Sequence, residues 1–133
     1  MSSSPSVSPL RVLLVDDDDA SVYTYARLLR GAGLDVVACR SATEARAHAE
    51  REHFDVVVVD YWMPEMNGAQ LLASVRATLG PRTPPFLLVT AMAAPIPAVQ
   101  RARFAAVLEK PFSFSSLRRA IAMLTAGDEL VRS

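Results

Sequence analysis

The stretch DVVVVD, residues 55–60, decides the fold of this chain. Its four consecutive valines show no alternation of apolar and polar side chains, which is typical of a strand in a parallel sheet that helices cover on both faces. The run stops at an acidic residue, Asp60. We therefore predict a fully buried central strand whose carboxyl end carries a carboxylate.

Similar apolar runs lie on both sides of this stretch and alternate with segments of helical periodicity. The other runs are LRVLLVD (10–16), LDVVAC (34–39), PPFLLVT (84–90) and AAVLEK (105–110). The helical segments are 20–30, 42–52, 68–78, a weaker one near 98–104, and 115–125. Five strand and helix pairs predict an α/β fold, a doubly wound five-stranded parallel sheet flanked by five helices, of which the fourth is short or irregular.

Length and composition indicate one domain. The 133 residues are 51% hydrophobic and 14 basic residues balance 14 acidic ones, so a basic surface for direct nucleic-acid binding is not expected. A single cysteine excludes an internal disulfide framework, and we find no signal peptide and no apolar run long enough to span a membrane. We expect a soluble, cytoplasmic protein with a disordered lead (1–9), one domain (10–126) and a C-terminal tail (127–133).

Polar side chains stand where the predicted strands end. Asp16 and Asp17 follow the first strand, Asp60 the third, Thr90 the fourth and Lys110 the fifth. The carboxyl ends of parallel strands meet at one edge, where open α/β sheets bind ligands. Three converging carboxylates would repel by about 4 kcal/mol per pair at 4 Å and an effective dielectric of 20. A divalent cation is therefore expected, and Mg²⁺ prefers oxygen ligands of this kind.

This set of side chains suits phosphoryl transfer. A carboxylate beside Mg²⁺ attacks a phosphoryl group in line while cations neutralise the developing charge. Asp60, alone at the end of the central strand, is the candidate nucleophile, while Asp16 and Asp17 hold the metal jointly, one directly and one through water. Lys110, the only lysine, is the candidate partner of Asp60 or of the phosphoryl oxygens, and Thr90 is a candidate hydrogen-bond donor.

Other residues with chemical potential are interpreted as structural. His48 and His53 lie on the second helix and at its end with no thiolate expected nearby, so we predict solvated surface residues and no zinc site. Cys39 is expected to be a small buried residue and not a redox centre. Asp19 is expected to cap the first helix, and Asp18 is left open between capping and the acid cluster.

Four segments in this order and spacing make the sequence similar to a known family. LLVDDDDAS (13–21), DVVVVDYWMPEMNG (55–68), LLVTA (87–91) and EKPF (109–112) resemble the receiver domain of bacterial two-component response regulators. The resemblance extends from residue 10 to about residue 125. It implies a flavodoxin-like strand order of 2-1-3-4-5 and places the domain within 10–126.

The resemblance also implies a function. A histidine kinase or a histidine phosphotransfer protein would phosphorylate Asp60, and the protein would signal to an output protein by conformational change rather than act as an enzyme on a metabolite. Asp17, Asp60 and the backbone carbonyl of Trp62 would bind Mg²⁺ directly and Asp16 through water, with Thr90 and Lys110 completing the site. The bond between Lys110 and its proline is typically cis in this family. Homodimer formation and the existence of a longer regulator are left open.

Several positions depart from the family pattern. The residue three before Lys110 is usually aromatic, but it is Val107 here, and Pro95 and Pro97 leave little room for a fourth helix. We hypothesise that Phe104 partly replaces the missing aromatic. Trp62 and Met92, each two residues after a site residue, are bulky and cannot position a water, which predicts a long-lived phosphoryl group.

Two alternatives stay open at this stage. A degenerate receiver could keep the fold as a phosphorylation-independent interaction module, which the altered residues near Val107 favour and the intact set of site residues disfavours. A Mg²⁺-dependent hydrolase could use the same acids, but the sequence offers no candidate general base after the strands. A nucleotide hydrolase is unexpected because no Gly-rich phosphate loop is present.

Overall fold

The computed structural model describes residues 9–132, with side chains described as far as residue 126. The predicted disordered lead lies outside the described residues except for Pro9. The elements in chain order are β1 (Arg11–Val15), α1 (Asp19–Gly31), β2 (Asp35–Cys39), α2 (Ala42–Arg51), β3 (Val56–Val59), α3 (Gly68–Leu79), a 3-10 turn (Gly80–Arg82), β4 (Phe86–Thr90), α4 (Ala98–Arg101), β5 (Ala106–Glu109) and α5 (Phe114–Arg132).

The five strands form one parallel sheet in the order β2-β1-β3-β4-β5, which confirms the predicted fold. The sheet is parallel because each connection between consecutive strands passes through a helix. The valines of β3 are buried on both faces, as the unbroken apolar run predicts. The central position of β3 therefore follows directly from its sequence.

Helices cover both faces of the sheet and produce two separate cores. On one face the strands pack against α1 and α5, with Leu29, Leu117 and Ile121 among the buried contacts. On the other face they pack against α2, α3 and the chain around α4, and this core contains Leu72 and Phe104. Burial of these apolar side chains is the main driving force that holds the layers together.

Helix α2 packs on the sheet through small residues. Ala42, Ala45 and Ala49 are all buried, and Ser41 caps the helix by accepting a hydrogen bond at Oγ from the Glu44 amide (3.1 Å). Ser41 and Glu44 have the spacing of a capping box, and the three alanines recur at helical spacing on one face. Because alanine is small, α2 lies close to the end of β2.

The last two helices differ from each other in length. Helix α4 is a four-residue turn that begins after Pro97 without a side-chain cap, which confirms the expectation of a short fourth helix. Helix α5 continues to Arg132, beyond the end that the apolar pattern predicts at Thr125. Within the part of the chain that the structure describes, none of the helices is both long and apolar enough to cross a membrane.

Candidate functional site

The register of the sheet brings the predicted acidic residues together. Val15 pairs with Val59, so the residues that follow them, Asp16 and Asp60, emerge side by side at the carboxyl edge. Asp16, Asp17 and Asp60 each offer a carboxylate oxygen within 4.8 Å of the others. Asp16 is 1% exposed and Asp60 8% exposed, whereas Asp17 faces solvent.

Lys110 lies across from these carboxylates. Its Nζ donates a hydrogen bond to Asp16 Oδ2 (2.8 Å) and lies 3.8 Å from Asp60 Oδ2. The lysine is held at this position because its amide donates to the carbonyl of Thr90 (2.8 Å) at the end of β4. The Lys110–Pro111 peptide bond is cis, as the resemblance implies. We refer to Asp16, Asp17, Asp60 and Lys110 as the acid pocket.

Burial and charge in the acid pocket shift two pKa values upward. Burial raises the pKa of Asp60, the nearby charge of Asp16 raises it further, and Lys110 only partly opposes this. For Lys110, burial disfavours the charge, but the hydrogen bond to Asp16 and the charges of Asp16 and Asp60 outweigh it, so its pKa is raised. Three carboxylates that lie beside one ammonium group repel one another when ionised, so the pocket favours an additional cation.

The start of α1 corrects one expectation. Asp18, not Asp19, is the N-cap: its Oδ2 accepts hydrogen bonds from the Ser21 amide (2.9 Å) and from the Ser21 hydroxyl (2.7 Å). These bonds lower the pKa of Asp18. Asp19 is the first residue of the helix, where it forms an exposed ion pair with Arg40 (3.2 Å). Adjacent acidic residues look alike in sequence, and the exact position of the helix start decides which of them caps.

Thr90 lies at the end of β4 and is fully buried. Its Oγ1 is 3.4 Å from both the backbone nitrogen and the backbone oxygen of Met92. Trp62 donates a hydrogen bond from Nε1 to the same carbonyl of Met92 (3.3 Å) and from its amide to Asp60 Oδ1 (3.4 Å). The loop after Asp60 and the loop after Thr90 are therefore in direct contact.

Gly68 permits a close approach that the sequence alone does not reveal. Its amide donates to the carbonyl of Tyr61 (3.0 Å), and a Cβ at this position would lie 2.8 Å from the backbone oxygen of Asp60. Any larger residue would therefore displace either the start of α3 or the backbone of Asp60. The sequence indicates only a turn or helix start here.

Tyr61 connects the loop after β3 with α4. Its hydroxyl donates to Gln100 Oε1 (2.6 Å) and accepts from Asn67 Nδ2 (3.3 Å), while its ring is almost fully buried. In the loop that precedes α4, the Ala93 amide donates a hydrogen bond to Glu109 Oε2 of β5 (3.0 Å). Sequence reasoning missed both links because neither follows from strand or helix periodicity.

The region around α4 leaves apolar side chains exposed. Met92, Val99 and Val107 are 58%, 65% and 38% exposed. Phe104, in contrast, is buried in the same core as Ile96. Phe104 thus has a structural role in this core, and its replacement of the aromatic missing at Val107 stays a prediction.

The expectation that His48 has no cysteine sulfur nearby is wrong. Cys39 at the end of β2 lies close to both Glu44 and His48 of α2, because the alanine face of α2 brings the helix against the sheet. Cys39 is buried, as predicted, and burial raises the pKa of its thiol to about 12. His53 is exposed and within 3.2 Å of Asp55, as expected of a surface residue.

Comparison with known proteins gives a consistent result. The model of the response regulator receiver domain matches residues 12–122. The chain is 33% identical over 122 residues to the sensory/regulatory protein RpfC of Xanthomonas campestris, an alignment that covers 89% of this chain and 17% of that protein. The chain therefore spans about a sixth of that relative.

Solved structures show the same fold. A receiver domain protein from Methanospirillum hungatei superposes with a TM-score of 0.84 at 29% identity, covering 92% of this chain and 98% of that one. The receiver domain of the sensor histidine kinase PA1611 from Pseudomonas aeruginosa superposes with a TM-score of 0.80 at 25% identity, covering 89% and 98%. That structure has a magnesium ion coordinated in its active-site cleft.

Proposed function

Because the chain belongs to the response regulator receiver domain family, we propose that it accepts a phosphoryl group on Asp60 in a two-component phosphorelay. The observation that carries this proposal is the arrangement of the acid pocket, in which Asp60 lies beside two other carboxylates and 3.8 Å from the ammonium group of Lys110. The donor would be a histidine kinase or a histidine phosphotransfer protein. The output would be a change in affinity for a partner protein.

The donor set of the pocket fits Mg²⁺. Its three carboxylates are hard oxygen ligands, and Mg²⁺ typically binds one or two of these while retaining waters and phosphate oxygens. Asp17 and Asp60 would bind directly together with the backbone carbonyl of Trp62. Asp16, which already accepts a hydrogen bond from Lys110, would act through water. Bound Mg²⁺ would supply positive charge that neutralises the phosphoryl oxygens.

The residues of the chain itself account for the remaining steps. A carboxylate oxygen of Asp60 forms a bond to phosphorus while the bond from phosphorus to the donor nitrogen breaks, and the nitrogen keeps the electron pair and takes up a proton from solvent. Lys110 moves its ammonium group from a carboxylate-only environment to one shared with the phosphoryl oxygens. Thr90 donates its hydroxyl hydrogen to one of those oxygens. The product is an aspartyl phosphate.

A small phosphodonor tests the acceptor. With Mg²⁺ and acetyl phosphate, intact-mass measurement should show the wild-type chain gaining one phosphoryl group, because Asp60 displaces acetate from phosphorus. Asp60→Asn should gain none, and the matched control Asp19→Asn, whose carboxylate is exposed on α1, should behave like wild type. Equal labelling of Asp60→Asn and wild type would contradict the proposal.

Fluorescence separates metal binding from phosphoryl acceptance. Trp62 is the only tryptophan, and its indole contacts the loop after Thr90, so its emission should change with Mg²⁺ and again with acetyl phosphate. A response to Mg²⁺ without phosphoryl gain would instead support the phosphorylation-independent module.

We also expect the phosphoryl group to persist because Trp62 and Met92 flank the pocket, and loss of the label within seconds would contradict this.

A further inference from the structure

We propose that Cys39, Glu44 and His48 form a second cation site, selective for Zn²⁺ or a similar transition metal and separate from the acid pocket. Each of the three residues offers one ligand atom, and these atoms lie within 4.8 Å of one another. None of them belongs to the acid pocket. The proposal is independent of phosphoryl transfer.

The fold holds the three ligands on two adjoining elements. Cys39 is the last residue of β2, and Glu44 and His48 are one helical turn apart on α2, so they share a face of that helix. Cys39 belongs to the same core cluster as Ala42 and Ala45, which places the first turns of α2 directly against the end of β2. The site is therefore built on regular secondary structure instead of a loop.

The donor types distinguish this cluster from the acid pocket. Thiolate sulfur, imidazole nitrogen and carboxylate oxygen together are ligands typical of Zn²⁺, whereas Mg²⁺ takes oxygen ligands almost exclusively. Three protein ligands leave a fourth tetrahedral position for water. On binding, the thiol proton of Cys39 leaves to solvent as the sulfur bonds to the metal, and the charges of thiolate and carboxylate balance the dication.

The hydrogen bonds around His48 favour metal binding by its ring. Its Nδ1 lies 2.6 Å from Glu52 Oε2, and Glu52 Oε1 in turn accepts a hydrogen bond from Arg11 Nη2 (3.1 Å). A carboxylate on one ring nitrogen fixes the proton there and leaves the other nitrogen, Nε2, free to bind a metal. The side chain of His48 is about one quarter exposed, which gives the metal access from solvent.

Cobalt provides a direct test, because Co²⁺ replaces Zn²⁺ and a thiolate ligand to cobalt gives a charge-transfer absorption band. Cys39 is the only cysteine, so the band reports this site alone. With saturating Mg²⁺ present to occupy the acid pocket, Co²⁺ should produce the band and Zn²⁺ should remove it stoichiometrically. If no band forms, or if Mg²⁺ abolishes it, the proposal is wrong.

Variants identify the other ligands. His48→Ala should weaken Co²⁺ binding at least about tenfold, and Glu44→Gln should also weaken it. The control is His53→Ala, which removes an exposed histidine outside the cluster and should bind Co²⁺ like wild type. Cys39→Ser should lose the band, and circular dichroism checks that it folds. Unchanged Co²⁺ affinity in His48→Ala would overturn the proposal even if Cys39→Ser failed to fold, because His48 lies at the surface of α2.

Discussion

The acid pocket and the segment of residues 91–105, which carries α4, lie next to each other at one edge of the sheet but are built in different ways. The pocket lies at the ends of buried strands, where the pairing of Val15 with Val59 places Asp16 and Asp60 side by side. The α4 segment has a four-residue helix without a side-chain cap, and apolar side chains such as Val99 remain exposed on it.

This difference shows which part of the edge follows from strand pairing and which does not. A pocket fixed by strand register needs only a suitable side chain at the end of each strand, as Asp16, Asp60 and Lys110 provide here. The α4 segment is held instead by a few individual contacts: the burial of Ile96 and Phe104, the hydrogen bond between Tyr61 and Gln100, and the bond from the Ala93 amide to Glu109. Removing these contacts one at a time should affect the segment and leave the pocket intact.

Phe104→Ala should produce the largest loss of stability in the α4 segment. Phe104 is 6% exposed within the core that covers one sheet face, so we expect a loss of about 4 kcal/mol in the free energy of unfolding. Urea denaturation measures it, and Val99→Ala, which truncates an exposed side chain of α4, is the control and should change stability little. A loss below about 1 kcal/mol would show that Phe104 does not anchor the segment.

Lys110→Met should cause the largest loss of stability of any single substitution within the pocket. It leaves the buried carboxylates of Asp16 and Asp60 without their cation, and because Lys110 is one-fifth exposed we expect a loss of about 3 kcal/mol in a chelating buffer. The double variant Lys110→Met with Asp16→Asn should recover most of that loss, since the amide needs no counter-charge. If the double variant loses as much stability as Lys110→Met and Asp16→Asn lose in sum, the ion pair is not what stabilises the pocket.

The pocket was predictable from the sequence because the ends of the strands can be predicted from the apolar runs. Apolar runs indicate the strands, parallel pairing brings their carboxyl ends together, and the side chain at each end is read directly, as for Asp60 and Lys110. The contacts of Tyr61 and of Cys39 were not predictable in this way. Tyr61 and Gln100 are 39 residues apart, and their contact depends on the path of two loops. The approach of His48 to Cys39 depends on how closely α2 packs, which its buried alanines reveal only once the helix is placed.

Gly68→Ala should perturb the junction between the two regions. The added Cβ would lie 2.8 Å from the backbone oxygen of Asp60, so we expect a loss of about 2 kcal/mol from overpacking. Gly31→Ala is a matched control, because a Cβ there meets no atom within 4 Å and alanine favours the helix. Equal stability of the two variants would mean that the start of α3 shifts without cost, and Trp62 fluorescence would then report whether the loop after Asp60 has moved.

Tyr61→Phe should have the smallest effect on stability and tests how the two regions communicate. It removes the hydroxyl that donates to Gln100 at 2.6 Å while the buried ring stays, so we expect a loss of about 1 kcal/mol. Because this hydrogen bond ties α4 to the loop after Asp60, amide exchange should accelerate in residues 98–104 and stay unchanged in β1 and β3. Tyr23→Phe removes an exposed hydroxyl on α1 that accepts from Arg27, and it should alter neither property. Faster exchange in the strands as well would show a general loosening of the fold, whereas unchanged exchange in α4 would show that the contacts of Phe104 hold the segment without help from Tyr61.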